Sequence, residues 1–148
     1  EKNSQQTNHN LNNVLQSFPN VIYYFDAELG NLEDTYAEIL KELSLISKGT
    51  FQPTNITDHF SKPVNNKIRV KFSVNGNEYS KEFQYHDDWM DVDFIDFLKN
   101  VVADNKLGGQ FYELHTGGQD MSIIFLTVDQ EQYLRTNELL LFADQWYE

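Results

Sequence analysis

Asn75-Gly76 sits between two eight-residue segments, 67–74 and 78–85, that alternate apolar and polar side chains. Asn-Gly is the pair that a two-residue type I′ turn favours, because both of its central residues take positive φ. Such a turn leaves no freedom of register: Phe72 must face Tyr79, Ile68 must face Phe83, and Arg69 must face Glu82. The apolar pairs then share one face and the charge pair falls on the other. Any fold this chain adopts must therefore bury one side of this hairpin.

The remaining elements are read around it. Val21 to Phe25 (VIYYF) is a β-branched and aromatic run and reads as a strand. Gly30-Asn31 opens a helix in which Asn31 is the expected N-cap, Glu33 and Asp34 occupy the first turn, and Lys48-Gly49 closes the end. Leu32, Tyr36, Ile39, Leu40, Leu43 and Ile46 form its apolar stripe. A second helix, capped by Asp91 or Asp93, runs to about Asp104 and buries Phe94, Ile95, Leu98, Val101 and Val102. Gly108-Gly109 ends it. A second hairpin follows, 110–116 with 119–126, turning at Gly117-Gly118, and its nearly all-apolar strand MSIIFL is expected at the centre of a sheet. Thr127 with Gln130 matches a capping box for a short helix through Leu134, and 139–142 reads as a last strand. Pro53 and Pro63 bracket a polar stretch, the one internal seam. The expected fold is α+β: a single mixed, largely antiparallel sheet of about six strands with two main helices packed on it.

The chain's 148 residues suffice for one domain with its own core, taken as 11–148. Residues 1–10 (EKNSQQTNHN) contain no apolar side chain and read as a disordered tail or tether. This polar, Asn/Gln-rich start resembles the tether of a mature bacterial lipoprotein, which would imply an upstream lipid anchor and a place at the cell envelope; a cytoplasmic protein is the alternative. No run approaches the roughly 18 apolar residues of a membrane span, so direct insertion is not expected. There is no cysteine, which removes disulfides, thiolate nucleophiles and cysteine metal sites. A formal charge of −12 argues against binding nucleic acid, since phosphate contacts need clustered Lys and Arg. The charge is uneven along the chain. Residues 1–81 hold nine acids and eight bases, whereas 82–148 hold fourteen acids and three bases.

Several patterns carry chemistry elsewhere and must be weighed here. Gly108-Gly109-Gln110 and Gly117-Gly118-Gln119 each match the tripeptide of class I peptide release factors. Those proteins surround it with bases that dock ribosomal RNA, whereas Glu113 and Asp120 flank the second copy here, so a helix stop and a hairpin turn are the expected meaning. His86 to Asp93 (HDDWMDVD) is rich in oxygen donors. Counted from Asp87, however, an EF-hand's sixth and twelfth positions hold Val92 and Leu98, and helix capping accounts for the acids. No metal and no cofactor is expected. A two-residue turn at Gly117-Gly118 would place His115 opposite Asp120, with Ser122 or Thr116 beside them; without a nucleophile elbow or an oxyanion-hole sequence this reads as a cross-strand ion pair. Asn55-Ile56-Thr57 is a formal glycosylation sequon.

What remains is an acidic surface with aromatics: Asp87, Asp88, Trp89, Asp91, Asp93 and Asp96, joined by Trp146. Trp and Tyr dominate interface hot spots, and clustered carboxylates steer basic partners. The expected function is a non-catalytic binding or structural module, exported or lipid-tethered, with a basic protein as partner. The alternative is an immunity-type inhibitor whose acidic face blocks a basic toxin such as a nuclease. An acid–base hydrolase is the poorer third reading.

Overall fold

The computed structural model describes residues 11–29, 34–60, 66–84 and 89–145. The class is α+β, but the sheet is not single: six strands form two antiparallel three-stranded sheets. One compact unit is Ala27–Leu107; the other is made by the chain up to Asp26 and from Gly108 onward.

In the Ala27–Leu107 unit the strands are β2 (Thr54–Phe60), β3 (Lys67–Val74) and β4 (Asn77–Gln84), in the order β2-β3-β4. The β3–β4 register is the one the Asn-Gly turn dictates, with Ile68 against Phe83, Arg69 against Glu82 and Phe72 against Tyr79. Asn75 and Gly76 take φ of 52° and 81°, the positive pair of a type I′ turn. Ile68, Val70, Phe72 and Val74 are buried at alternate positions or nearly so. The outward face carries charge pairs: Lys71 to Glu78 at 2.5 Å, with Lys67 and Arg69 both on Glu82.

Two helices bury their stripes here, α1 (Thr35–Ile46) and α2 (Asp93–Asp104). Tyr36 of α1 and Phe94 of α2 meet at 4.7 Å between ring centroids, and both rest on Phe83, at 5.6 and 5.3 Å. This aromatic cluster, stacked between Tyr36 and Phe83 and edge-to-face at Phe94, joins both helices to one strand. The expected N-cap Asn31 lies outside the described residues. The first turn of α1 is held from a distance instead: Asp58 of β2 accepts the N–H groups of Tyr36 at 2.8 Å and Ala37 at 3.3 Å. Asp34, at φ 61°, makes no side-chain cap. Lys48 and Gly49, both at positive φ, close the helix as expected.

The other unit contains β1 (Ile22–Asp26), β5 (Gln110–Leu114) and β6 (Asp120–Leu126), ordered β1-β6-β5, so MSIIFL is indeed central. A third helix, α3 (Val128–Thr136), begins at Thr127 with the full capping box to Gln130. Residues 139–142 are not a strand. They make one bridge, Leu114 to Phe142, and lead into a 3₁₀ turn, Ala143–Gln145. The apolar run LLLF is there because Leu140, Leu141 and Phe142 are buried, not because it is paired along its length. Leu140 and Phe142 pack with Ile22, Leu114, Ile124 and Leu126, and Leu11 and Leu15 of a helical stretch at 11–15 lie against this cluster.

The sixth strand of the tally is therefore β2, within the polar stretch read from sequence as a seam. The sheets end where their edges are blunted. β4 carries Glu78, Lys81 and Glu82 along an exposed edge strand, and β2 has a register break between Thr54 and Thr57 with Asn55 at φ 52°. Charges and bulges are what stop a sheet from extending.

The capping role of Asp58 is testable. Burial raises its carboxyl pKa above the ordinary 3.8, against the pull of the Ala37 and Tyr36 N–H groups. A carboxyl raised by folding favours the folded state most below its unfolded pKa, and that contribution is lost as pH climbs through the raised folded value. Asp58→Ala should cost about 1 kcal/mol through the lost cap. Asp58→Asn keeps an acceptor without a charge. In thermal melts across a pH series it should gain on the wild type as pH rises from 3.8 upward.

Candidate functional site

The acidic–aromatic surface read from the sequence is divided by the fold. Asp87, Asp88 and Trp146 lie outside the described residues. Asp91 turns inward: it is 7% exposed, its Oδ2 accepts the Gln84 N–H at 2.8 Å, and its Oδ1 accepts the Asp93 N–H at 2.9 Å. Its own N–H donates to the Tyr36 hydroxyl at 3.0 Å, a phenol whose pKa burial pushes up to about 12. Because Val92 is already helical in φ and ψ, the cap of α2 falls to Asp91, one of the two residues the sequence offers for it, and not to Asp93. A carboxylate holding two backbone N–H groups is structural, so Asp91 does not belong to a binding surface. Asp93 and Asp96 are exposed in the first turn of α2. Beside them Trp89 is 43% exposed and Val92 85% exposed. Trp89 is held in place by a backbone bridge to Glu28.

A second candidate lies at the loop end of the β5–β6 hairpin. The strands pair Gln110 with Leu126 and Leu114 with Ser122, one residue away from the register that a two-residue turn would impose. His115 is consequently not opposite Asp120. Residues 115–119 form the loop between the strands, and the His115 N–H donates to Leu141 O at 3.0 Å on the edge of β5 that faces away from β6. Asn12, 1% exposed, fixes this arrangement. Its amide donates to Leu141 O at 2.8 Å and His115 O at 3.3 Å, and its Oδ1 accepts the Leu141 N–H at 3.2 Å. Within the loop the Thr116 hydroxyl donates to Asp120 O at 2.7 Å, and Gly117 stands at φ 81°.

The bowed loop opens a cleft of about 470 Å³, with Glu113, His115, Thr116, Gln119, Asp120 and Ser122 among its walls. The volume is in the range of small-molecule sites. Ser122 is 2% exposed, and its hydroxyl makes no hydrogen bond. Asp120 faces Asp26 directly across β1 and β6. Neutral donors serve this pair: the Tyr24 hydroxyl gives Asp120 a bond of 2.6 Å, and the Gln119 amide gives Asp26 one of 2.8 Å. The bond to Asp120 holds the Tyr24 phenol above its ordinary pKa.

The cleft thus gathers the four residues of the hydrolase reading without joining them as that chemistry needs. A nucleophilic serine must bond to its base, and the Ser122 hydroxyl bonds to nothing. Among the described residues, no group of three or more His, Asp or Glu is placed to hold a metal ion, and no helix is long and apolar enough to cross a membrane. Comparisons with protein-family models, with curated proteins and with solved structures return no match to this chain.

The two Gly-Gly-Gln copies play different parts. A Cβ on Gly109 would stand 2.7 Å from the Phe125 ring and 2.9 Å from Leu126 O, whereas one on Gly118 meets nothing within 4 Å. Gly109→Ala should lower stability by about 1–3 kcal/mol and Gly118→Ala should be nearly silent in urea unfolding. Ser122→Ala should hold or raise stability by about 1 kcal/mol, because it removes a buried hydroxyl that has no partner.

Proposed function

We propose that this chain is a non-catalytic binding module whose partner is a basic protein, met at the start of α2. The observation that carries this reading is the exposure of Trp89 and Val92 directly beside Asp93 and Asp96. An exposed Trp beside carboxylates offers both parts of a hot spot for a basic surface: a large rigid apolar contact and a field that attracts cations. Asp91 supports the patch from beneath by capping α2 and tying it to the end of β4. The chain's charge of −12 adds long-range attraction for such a partner.

The proposal separates local recognition from net charge. With a decalysine peptide as the basic probe, Asp93→Asn with Asp96→Asn should weaken binding roughly ten-fold at low salt. Glu38→Gln with Glu42→Gln, an equal change in charge on α1, should have a much smaller effect. Trp89→Ala should weaken binding further and reduce its residual strength at higher salt. Equal losses in both double variants would mean that the probe senses only the overall charge, and the reading would fail. Circular dichroism melts of each variant keep a folding defect from being mistaken for lost binding.

A further inference from the structure

Apart from that surface, we propose that Asn75 is a site of spontaneous covalent modification: water deamidates it through a cyclic imide, and the isoaspartate product undoes the register of the first hairpin. Asparagine is a thermolabile residue, and the reaction depends on the peptide nitrogen that follows it. That nitrogen must reach the side-chain carbonyl carbon, so a following side chain hinders the approach and a following glycine does not. Asn75-Gly76 is the one Asn-Gly pair in the chain. Both residues are exposed, and a Cβ on Gly76 would meet nothing within 4 Å, so the nitrogen stands open.

The fold marks this asparagine out in two further ways. The strand ladder closes at Val74 with Asn77, which leaves the Gly76 N–H outside it. The Asn75 amide has no hydrogen-bond partner among the described residues, whereas the amides of Asn12, Asn77, Asn105 and Asn137 each donate to a neighbour. Ring closure requires the Asn75–Gly76 peptide to rotate out of the turn. The reaction therefore proceeds when the hairpin tip opens, a local event in which glycine offers the least steric resistance.

The steps balance without an oxidant or reductant. Deprotonated by solvent base, the Gly76 nitrogen attacks Asn75 Cγ; the Cγ–Nδ2 bond breaks, Nδ2 takes up a proton, and ammonia leaves. Water then opens the imide. Cleavage of the new N–Cγ bond restores the peptide with aspartate at position 75. Cleavage of the original peptide bond leaves the main chain running through Cβ and Cγ, one carbon longer. A two-residue type I′ turn has no place for that carbon without a change of register. The turn is also tied to the end of α2: the Asn77 amide donates to Asn105 Oδ1 at 3.0 Å, the Asn105 amide to the Tyr79 hydroxyl at 2.8 Å, and that hydroxyl to Asp104. A longer chain at position 75 loosens β4 and the end of α2 together.

The test is incubation of the full chain in neutral and mildly alkaline buffer at physiological temperature, read by peptide mass spectrometry with fragmentation that distinguishes isoaspartate from aspartate. Asn75 should lose its amide first, faster at the higher pH, while Asn55, Asn77, Asn105 and Asn137 keep theirs. Gly76→Asp shields the nitrogen with a residue type that accepts positive φ, and it should abolish the early loss. The isolated isoaspartate form should melt below the wild type, and Asn75→Asp, which also suits the turn, should melt close to it. Loss first at another asparagine would overturn the proposal. So would an Asn75 that stays intact while a linear peptide of residues 70–80 deamidates. An isoaspartate form as stable as the wild type, or an Asn75→Asp variant that melts as low as the isoaspartate form, would reject the effect on register.

Discussion

A single buried amide determines the shape of the unit that contains the cleft. Asn12 bonds both backbone groups of Leu141 and the carbonyl of His115, joining chain positions 129 residues apart. A side-chain amide can mimic a peptide group, and here it completes a backbone pattern that no strand could supply. The consequences run outward from it. His115 is bonded to Leu141 on the edge of β5 away from β6, β5 ends at Leu114, and residues 115–119 join it to β6. The cleft exists because that loop bows. The energetic weight of Asn12 comes from burial: each group it serves would otherwise be an unmet donor or acceptor away from water. Arg135 does similar work nearby, lying over the Phe142 ring at 4.0 Å while holding Glu131 and Asp144.

This node marks the boundary of what the sequence makes legible. The first hairpin can be read to the residue because Asn75-Gly76 fixes the turn and side-chain alternation fixes the face; both are local. The helix stripes, the cap by Asp91 and the capping box at Thr127 are legible for the same reason. The second hairpin has an equally suggestive Gly-Gly pair, yet its register slips by one residue, and beyond Leu114 the backbone of His115 is held by Leu141 and Asn12. No local pattern reports a partner that distant. The last apolar run, 139–142, fails in the same way: hydrophobicity shows that it is buried, but not whether its backbone is paired.

Strand β2 is illegible for a different reason. Thr54, Asn55, Thr57 and His59 are exposed, so the strand has little alternation to read. It is an edge strand, and edge strands are kept polar to discourage further pairing. Its Asp58 nonetheless performs a task the sequence assigns to residues next to α1, since a cap can come from any element that passes the helix end. Likewise, periodicity predicts which helix faces are buried but not that the six strands divide into two sheets, because alternation identifies the buried face of a strand and not its neighbour. Of the candidate surface, the residue types were legible and their fates were not. Asp91 and Asp93 look alike in sequence; one satisfies backbone N–H groups in the interior and the other faces water.

The distribution of charge between the two sheets sharpens the contrast between ordinary surface and candidate site. On the outward face of β3 and β4, Lys67, Arg69 and Lys71 stand against Glu78 and Glu82. Such exposed pairs contribute little stability, but they neutralise one another and leave a solvated surface with no strong field. The sheet β1-β6-β5 follows no such rule at its end. Asp26 opposes Asp120, the Tyr24 phenol donates to Asp120, and the Gln119 amide donates to Asp26. Neutral donors hold carboxylates in place without cancelling their charge. A fold that needed only solubility could have used the compensating ladder in both sheets. The end of the β1-β6-β5 sheet instead sets two carboxylates opposite each other, two residues from a buried hydroxyl that makes no hydrogen bond.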